Sequence, residues 1–190
     1  MDTLPGPDGL PRCPWGAAPD MTEYHDREWG RPVHGDAGLF ERISLEAFQS
    51  GLSWAVILRK REAFRAAFCG FDPARVARFG PGDVGRLLAD AGIVRNRAKI
   101  EATIVNAQAV LGLDGRLDEE VWSFAAAAGR LRPVRAADVP TVTTQSAALA
   151  RRLRVLGFRF VGPTTAYALM QAAGLVDDHL AGCVTAPPQG

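Results

Sequence analysis

The sequence predicts an all-α protein, and three observations carry that expectation. Apolar residues recur at three- and four-residue spacing in one segment after another, and no stretch alternates polar and apolar as a half-buried strand would. Glycine or proline stands where most of these periodic runs stop or start.

The first helical run, 37–50, repeats through Phe40, Ile43 and Ala47 until Gly51 interrupts it. A second begins after Ser53, a suitable N-cap, and continues through Trp54, Ile57, Leu58, Phe64 and Phe68. Asp83 is expected to cap a short helix carrying Val84, Leu87, Leu88 and Ala91 before Gly92. A longer helix carries Ile100, Ile104, Ala107 and Leu111 before Gly112, and another is expected over 119–128. From Ser146 the pattern runs through Leu149, Leu153 and Leu156 until Gly157 stops it; Phe158–Val161 form a connector, and Gly162 with Pro163 opens the next helix. Proline suits a first helical position, because its missing N–H has no intrahelical partner to lose. Residues 1–11 and 184–190 lack periodicity and read as flexible ends around a single domain over 12–183.

Composition narrows the function classes. A chain of 190 residues, 47% apolar, can bury a core. Its 22 basic and 21 acidic residues leave a net charge of +1, which excludes the wholesale basicity of a chromatin protein. Any nucleic-acid site is therefore local. Between Val139 and Val176 there is no acidic residue, while Arg151, Arg152, Arg154 and Arg159 all fall there; a solvated helix face fits the same letters. Three cysteines make no disulfide scaffold, and no apolar run reaches the ~18 residues of a membrane span, so the protein is expected in the reducing cytoplasm.

Three features bear on chemistry. The connector 157–162 between two helices fits a helix-hairpin-helix, whose backbone N–H groups hold a DNA phosphate without reading sequence, with Arg159 adding charge; it fits a plain helix connection equally. Cys13 and His25 near one end, with His179 and Cys183 near the other, make a two-Cys, two-His set suited to tetrahedral zinc. Four protein ligands leave no open position, so such a zinc is structural; each residue taken alone fits ordinary packing as well. Glu46 lies among apolar neighbours with Trp54 two turns on, and Trp15, Tyr24 and Trp29 surround the candidate ligands. A carboxylate in that company is either partly buried and functional or an exposed helix residue. Cys69 reads as buried packing and His34 as an exposed loop residue.

An ordered series of motifs resembles one family. Cys13-Pro14-Trp15, Tyr24-His25-Asp26-Arg27-Glu28-Trp29-Gly30, Leu45-Glu46, Gly51-Leu52-Ser53-Trp54, Lys60-Arg61-Glu62, Ala91 to Arg97, Gly157 to Gly162 and His179 to Cys183 follow the motifs of the DNA-3-methyladenine glycosylase I family across nearly the whole chain. The resemblance implies a helix-hairpin-helix glycosylase fold, a zinc joining the N- and C-terminal segments, and a monomer acting on double-stranded DNA with alkylated adenine. It implies that Glu46 contacts the excised base, that Tyr24 and Trp54 stack on it, and that Trp15 walls the pocket. Cys13, His25, His179 and Cys183 would hold the zinc, while Arg159 and Gly162 would meet DNA and Leu52 is the candidate to insert into the stack. Met21 and Phe48 depart from some members of the family and are expected to alter the pocket.

Two other classes remain in view. A non-catalytic DNA-binding module would need the hairpin but not a glutamate among aromatics. A zinc hydrolase would keep an open metal position, whereas four ligands are available here. A lyase would need an amine nucleophile, and Lys60 and Lys99 are the only lysines; neither flanks Glu46 in sequence, so an intact abasic strand is the expected product.

Overall fold

In a computed structural model of the protein, the described residues are 2–127 and 130–185. The helices are α1 (Thr22–Arg27), α2 (Asp36–Gln49), α3 (Trp54–Ala67), α4 (Pro73–Val76), α5 (Pro81–Ala89), α6 (Arg97–Gly112), α7 (Leu117–Trp122), α8 (Thr144–Val155) and α9 (Pro163–Ala172). The short helices α1 and α4 offer too few residues for a helical period to register.

Several boundaries differ from the sequence expectation. The run expected over 119–128 is helical only to Trp122. There the indole donates to the Val33 carbonyl at 3.0 Å and stacks on His34, while the Ala126 N–H is drawn to the Leu175 carbonyl at 2.8 Å. Residue 128 lies outside the described residues. Asp83 sits inside α5 and reaches back to the Gly80 N–H at 3.1 Å, so it caps from the third position. Ser53 holds the N-cap position of α3 without a side-chain cap bond. Asn96 caps α6 through the Lys99 N–H, and Thr143 and Ser146 close a reciprocal capping box on α8.

The chain is predominantly rather than wholly helical. Leu4–Pro5 (β1) pairs antiparallel with Pro11–Arg12 (β2), within the stretch that composition reads as flexible. Its order comes from a long-range ion pair that periodicity does not register. Buried Arg12 bonds Asp8 at 2.6 Å and Asp26 at 2.7 Å. The opposite end joins it through the Val184 N–H, 2.8 Å from the Pro11 carbonyl; residues 186–190 lie outside the described set.

Helix α2 is the centre of the packing and lies against α3, α6, α7 and α9. It buries Leu39, Phe40, Ile43, Leu45, Ala47 and Phe48, together with Ser44 and Glu46. Phenylalanines from α2, α3 and the following turn fill the space between them: Phe48 lies 4.7 Å from Phe64 and 5.8 Å from Phe68, which stacks 5.5 Å from Phe71. Phe48 is thus fully buried core and does not line the pocket, because α2 turns it to the side opposite the cavity. Replacing Phe48 with Ala is expected to lower unfolding stability by about 3–5 kcal/mol, as measured by urea unfolding.

Candidate functional site

A cavity of about 650 Å³ opens where α1, α2, α3 and α9 meet the N-terminal turn and the segment 136–141. Each wall arrives for a local reason. Gly51, at φ 83°, reverses the chain after α2, so Trp54 at the start of α3 returns beside Glu46. Tyr24 comes from α1 and Met21 from its N-cap, Trp15 from the N-terminal turn at Pro14–Ala17, and Tyr167 and Gln171 from α9.

Glu46 lines this cavity at 5% exposure and makes no side-chain hydrogen bond or ion pair among the described residues. Burial pushes its carboxyl up from 4.5 to about 8, and Arg42, one turn earlier, draws it back only in part. The negative end of α2 acts in the same direction as burial.

Aromatic rings surround the carboxyl. Tyr24 and Trp54 lie 5.3 Å apart between centroids and tilted by 39°, and Trp15 stands 6.2 Å from Tyr24. Burial raises the Tyr24 hydroxyl well above its usual range, so the ring is neutral. Behind it, Glu28 receives both arms of Arg61 at 2.6 and 2.8 Å and meets Arg42 at 3.4 Å. Glu28 follows α1, Arg42 lies on α2 and Arg61 on α3, so one ion cluster ties the three helices that carry Tyr24, Glu46 and Trp54.

The aromatic run continues to a second cluster. Trp15 packs edge-on against Trp29 at 4.9 Å and His25 at 5.0 Å, and Trp29 meets His179 at 4.7 Å. The sulfur atoms of Cys13 and Cys183 and a ring nitrogen of His25 lie within 4.8 Å of one another. His179 stands beside this trio rather than within it. Its ring is 4.9 Å from that of His25, and its Nε2 is 3.3 Å from the His25 carbonyl. The two histidines are oriented alike: His25 Nδ1 lies 2.7 Å from Asp26, which Arg12 holds, and His179 Nδ1 lies 2.8 Å from Asp177, which Arg132 holds. Each ring is therefore fixed on its Nδ1 side by a carboxylate, the support typical of metal-binding imidazoles. Gly16 is needed here, since a Cβ would lie 2.2 Å from the His25 ring. His179 and Cys183 flank the turn at 181–182 and do not lie on the helical face that their four-residue spacing allows.

The remaining sequence candidates divide. Leu52 is 39% exposed in the turn between α2 and α3, beside Gln49 and Ser53 of the cavity but outside its lining. Arg159 is exposed in the α8–α9 connector, and Gly162 is the N-cap of α9, where an added Cβ would meet nothing within 4 Å. Arg152 is held by Glu120 at 2.6 Å, which removes it from the acid-free arginine group. Cys69 is only partly buried, in a turn at φ 54°. Lys60 donates to the Ala91 carbonyl at 2.8 Å, and Lys99 to those of Phe48 and Ser50 at 2.9 and 2.6 Å.

Sequence reasoning missed the far wall. Asp178 accepts from Arg130 at 2.7 Å, Gln171 at 2.8 Å and the Tyr167 hydroxyl at 2.5 Å, so it braces the cavity while its neighbour Asp177 serves His179. Two adjacent aspartates carry no sign of which does which. The residues of 136–141 give no periodic or motif signal at all.

The methyladenine glycosylase family model matches residues 15–186. The chain belongs to the methyladenine glycosylase family. It is 44% identical over 183 residues to DNA-3-methyladenine glycosylase 1 of Escherichia coli, covering 94% of this chain and 98% of the relative. It is 43% identical over 177 residues to DNA-3-methyladenine glycosylase of Haemophilus influenzae, covering 90% and 96%. Among solved structures, a 3-methyladenine DNA glycosylase I superposes with a TM-score of 0.86 at 45% identity, covering 91% of this chain and 98% of that one. A family structure from Staphylococcus aureus, described as the basis of 3-methyladenine recognition, gives 0.85 at 35% identity, covering 91% and 94%.

The buried carboxyl gives this family member a pH signature. Because the Glu46 pKa rises on folding, the folded chain binds that proton more tightly than the unfolded chain. Its contribution to stability is fully present below the ordinary value of 4.5 and is lost as pH rises through about 8. Glu46→Gln removes this titration. Thermal unfolding should therefore show the wild type losing stability relative to the variant between about pH 5 and pH 9; parallel curves would mean that the carboxyl is not held dry.

Proposed function

We propose that the protein is a monofunctional DNA glycosylase that hydrolyses the N-glycosidic bond of 3-methyladenine in alkylated double-stranded DNA and leaves an abasic site. The observation that carries this reading is Glu46, a buried carboxyl without a partner among the described residues, on the wall of an aromatic pocket. N3-methyladenine is cationic. A base of that charge gains from aromatic faces, at about 0.5–2 kcal/mol each when desolvated, and from Glu46, which the positive charge draws into its ionised form. Neutral adenine gains little from either, so charge recognition supplies selectivity.

The target bond is inaccessible in a stacked duplex, and the nucleotide must be extruded into the pocket at a cost of a few kcal/mol. Tyr24 and Trp54 stack on the flipped base, Trp15 closes the side, Met21 shapes the adjoining wall, and Glu46 holds its positive charge. Water then attacks the sugar carbon and gives up a proton to solvent; the glycosidic bond breaks, and its electron pair leaves with the base, which becomes neutral. The methyl group has already weakened that bond, so holding and orienting the base suffices without a strong general base. Both lysines are engaged with backbone carbonyls, which favours hydrolysis over a lyase reaction through an amine.

We read the α8–α9 connector as a helix-hairpin-helix, with Gly162 and Arg159 meeting a phosphate and Leu52 filling the space the base leaves. The protein would act as a cytoplasmic monomer. Cys13, His25, His179 and Cys183 would hold one zinc: the sulfur and nitrogen donors of Cys13, His25 and Cys183 converge, and the carboxylate support of both imidazoles fits them for a metal. With four protein ligands the ion would supply structure, tying the two ends of the chain behind Trp15.

Incubation with methylated duplex DNA should release 3-methyladenine, and Glu46→Gln or Trp54→Ala should weaken binding of the free base, the latter by roughly 1–3 kcal/mol. Binding of DNA without base release would instead favour a non-catalytic module. Elemental analysis of protein purified without chelator should find about one zinc per chain, and Cys13→Ser should lower both metal content and thermal stability. Metal-free protein of unchanged stability would overturn the zinc assignment.

A further inference from the structure

Helix α6 buries three polar side chains on one face, Lys99, Thr103 and Asn106, where an apolar seam would ordinarily lie. Thr103 bonds back to the Lys99 carbonyl at 2.9 Å within its own helix. The other two reach outward. Lys99 donates to the Phe48 and Ser50 carbonyls at 2.9 and 2.6 Å, clasping the end of α2 just before the turn that carries Leu52. Asn106 accepts from the Arg159 N–H at 2.7 Å and donates to the Arg159 carbonyl at 3.1 Å, so its amide pairs with both backbone groups of one residue in the α8–α9 connector. The connector also rests on α6 at Gly157, whose Cβ position would lie 3.7 Å from Ala109, and it holds Phe160 at φ 57°, a conformation unusual outside glycine.

A buried ammonium and a buried amide are poor choices for filling space, since each demands fully formed hydrogen bonds. Their use on one helix face, two turns apart, puts a fixed separation of about 10 Å along α6 between the two clasps. We propose that Lys99 and Asn106 are positioning residues that hold the Leu52 turn and the α8–α9 connector in a fixed relation, so that both engage one DNA duplex at once. The inference rests on the reading that these two loops touch DNA. Neither residue lines the base pocket. Their loss therefore acts on DNA engagement and spares recognition of the free base.

The test compares free 3-methyladenine affinity with the single-turnover excision rate on methylated duplex, for wild type, Lys99→Met, Asn106→Ala and each combined with Leu52→Ala. Lys99→Met and Asn106→Ala should slow excision by about tenfold or more, as expected for a lost buried hydrogen bond to a charged or fixed partner, with free-base affinity within about twofold. Leu52→Ala should slow the wild type but add little to Lys99→Met, and Lys99→Arg should restore part of the rate. Parallel loss of free-base affinity, or an undiminished Leu52→Ala effect in Lys99→Met, would overturn the proposal. Should Lys99→Met fail to fold, the cycle of Asn106→Ala with Leu52→Ala decides, additivity again counting against the proposal. If Leu52→Ala leaves excision by the wild type unchanged, the assignment of that turn to DNA falls and the proposal with it. A wild type that releases no base refutes the glycosylase reading itself.

Discussion

The site depends on keeping one carboxyl group out of water without giving it a partner. Glu46 projects from the last turns of α2, the helix that packs against most of the others, so the same burial that builds the core also dries the carboxyl. Desolvation disfavours its charge, and the pocket is left poised for a ligand that brings a positive charge of its own. On the proposed reading a cationic base draws the proton off and pairs with the carboxylate, whereas a neutral purine leaves the carboxyl protonated and gains no such pairing.

Holding such a group requires stiff surroundings, and two devices supply them. The Glu28–Arg42–Arg61 cluster fastens α1, α2 and α3 behind the pocket, and its charges are partly shielded, which strengthens them over an exposed pair. On the other side, the rings of Trp54, Tyr24, Trp15, Trp29 and His179 run without a break from the cavity to the cysteine–histidine corner. Cys13 and Leu180 themselves line the cavity, so the corner that joins the chain ends is also a wall of the pocket. Any loosening there would reach the cavity through rigid rings in contact.

The charged residues follow the same economy. Most arginines near the pocket are committed to aspartate or glutamate, and both lysines to backbone carbonyls, while Arg159 remains exposed on the connector. A net charge near zero is compatible with acting on DNA, because a local basic surface can meet the phosphates without a basic chain overall.

Sequence alone determined the helical class, the positions of the long helices, the punctuation at Gly51 and Gly157, and the pairing of Glu46 with nearby aromatics, because all of these rest on local periodicity and short-range chemistry. Tertiary structure decided the rest. Phe48 and Glu46 stand two apart on one helix, and only packing sends the first into the core and the second to the cavity. Asp177 and Asp178 are identical neighbours, and only their surroundings give one to His179 and the other to Tyr167 and Gln171. The hairpin at 4–12 and the clasps of Lys99 and Asn106 depend on partners 14 to 53 residues away. Such contacts are set by how the helices dock, and a period of 3.6 residues does not encode them.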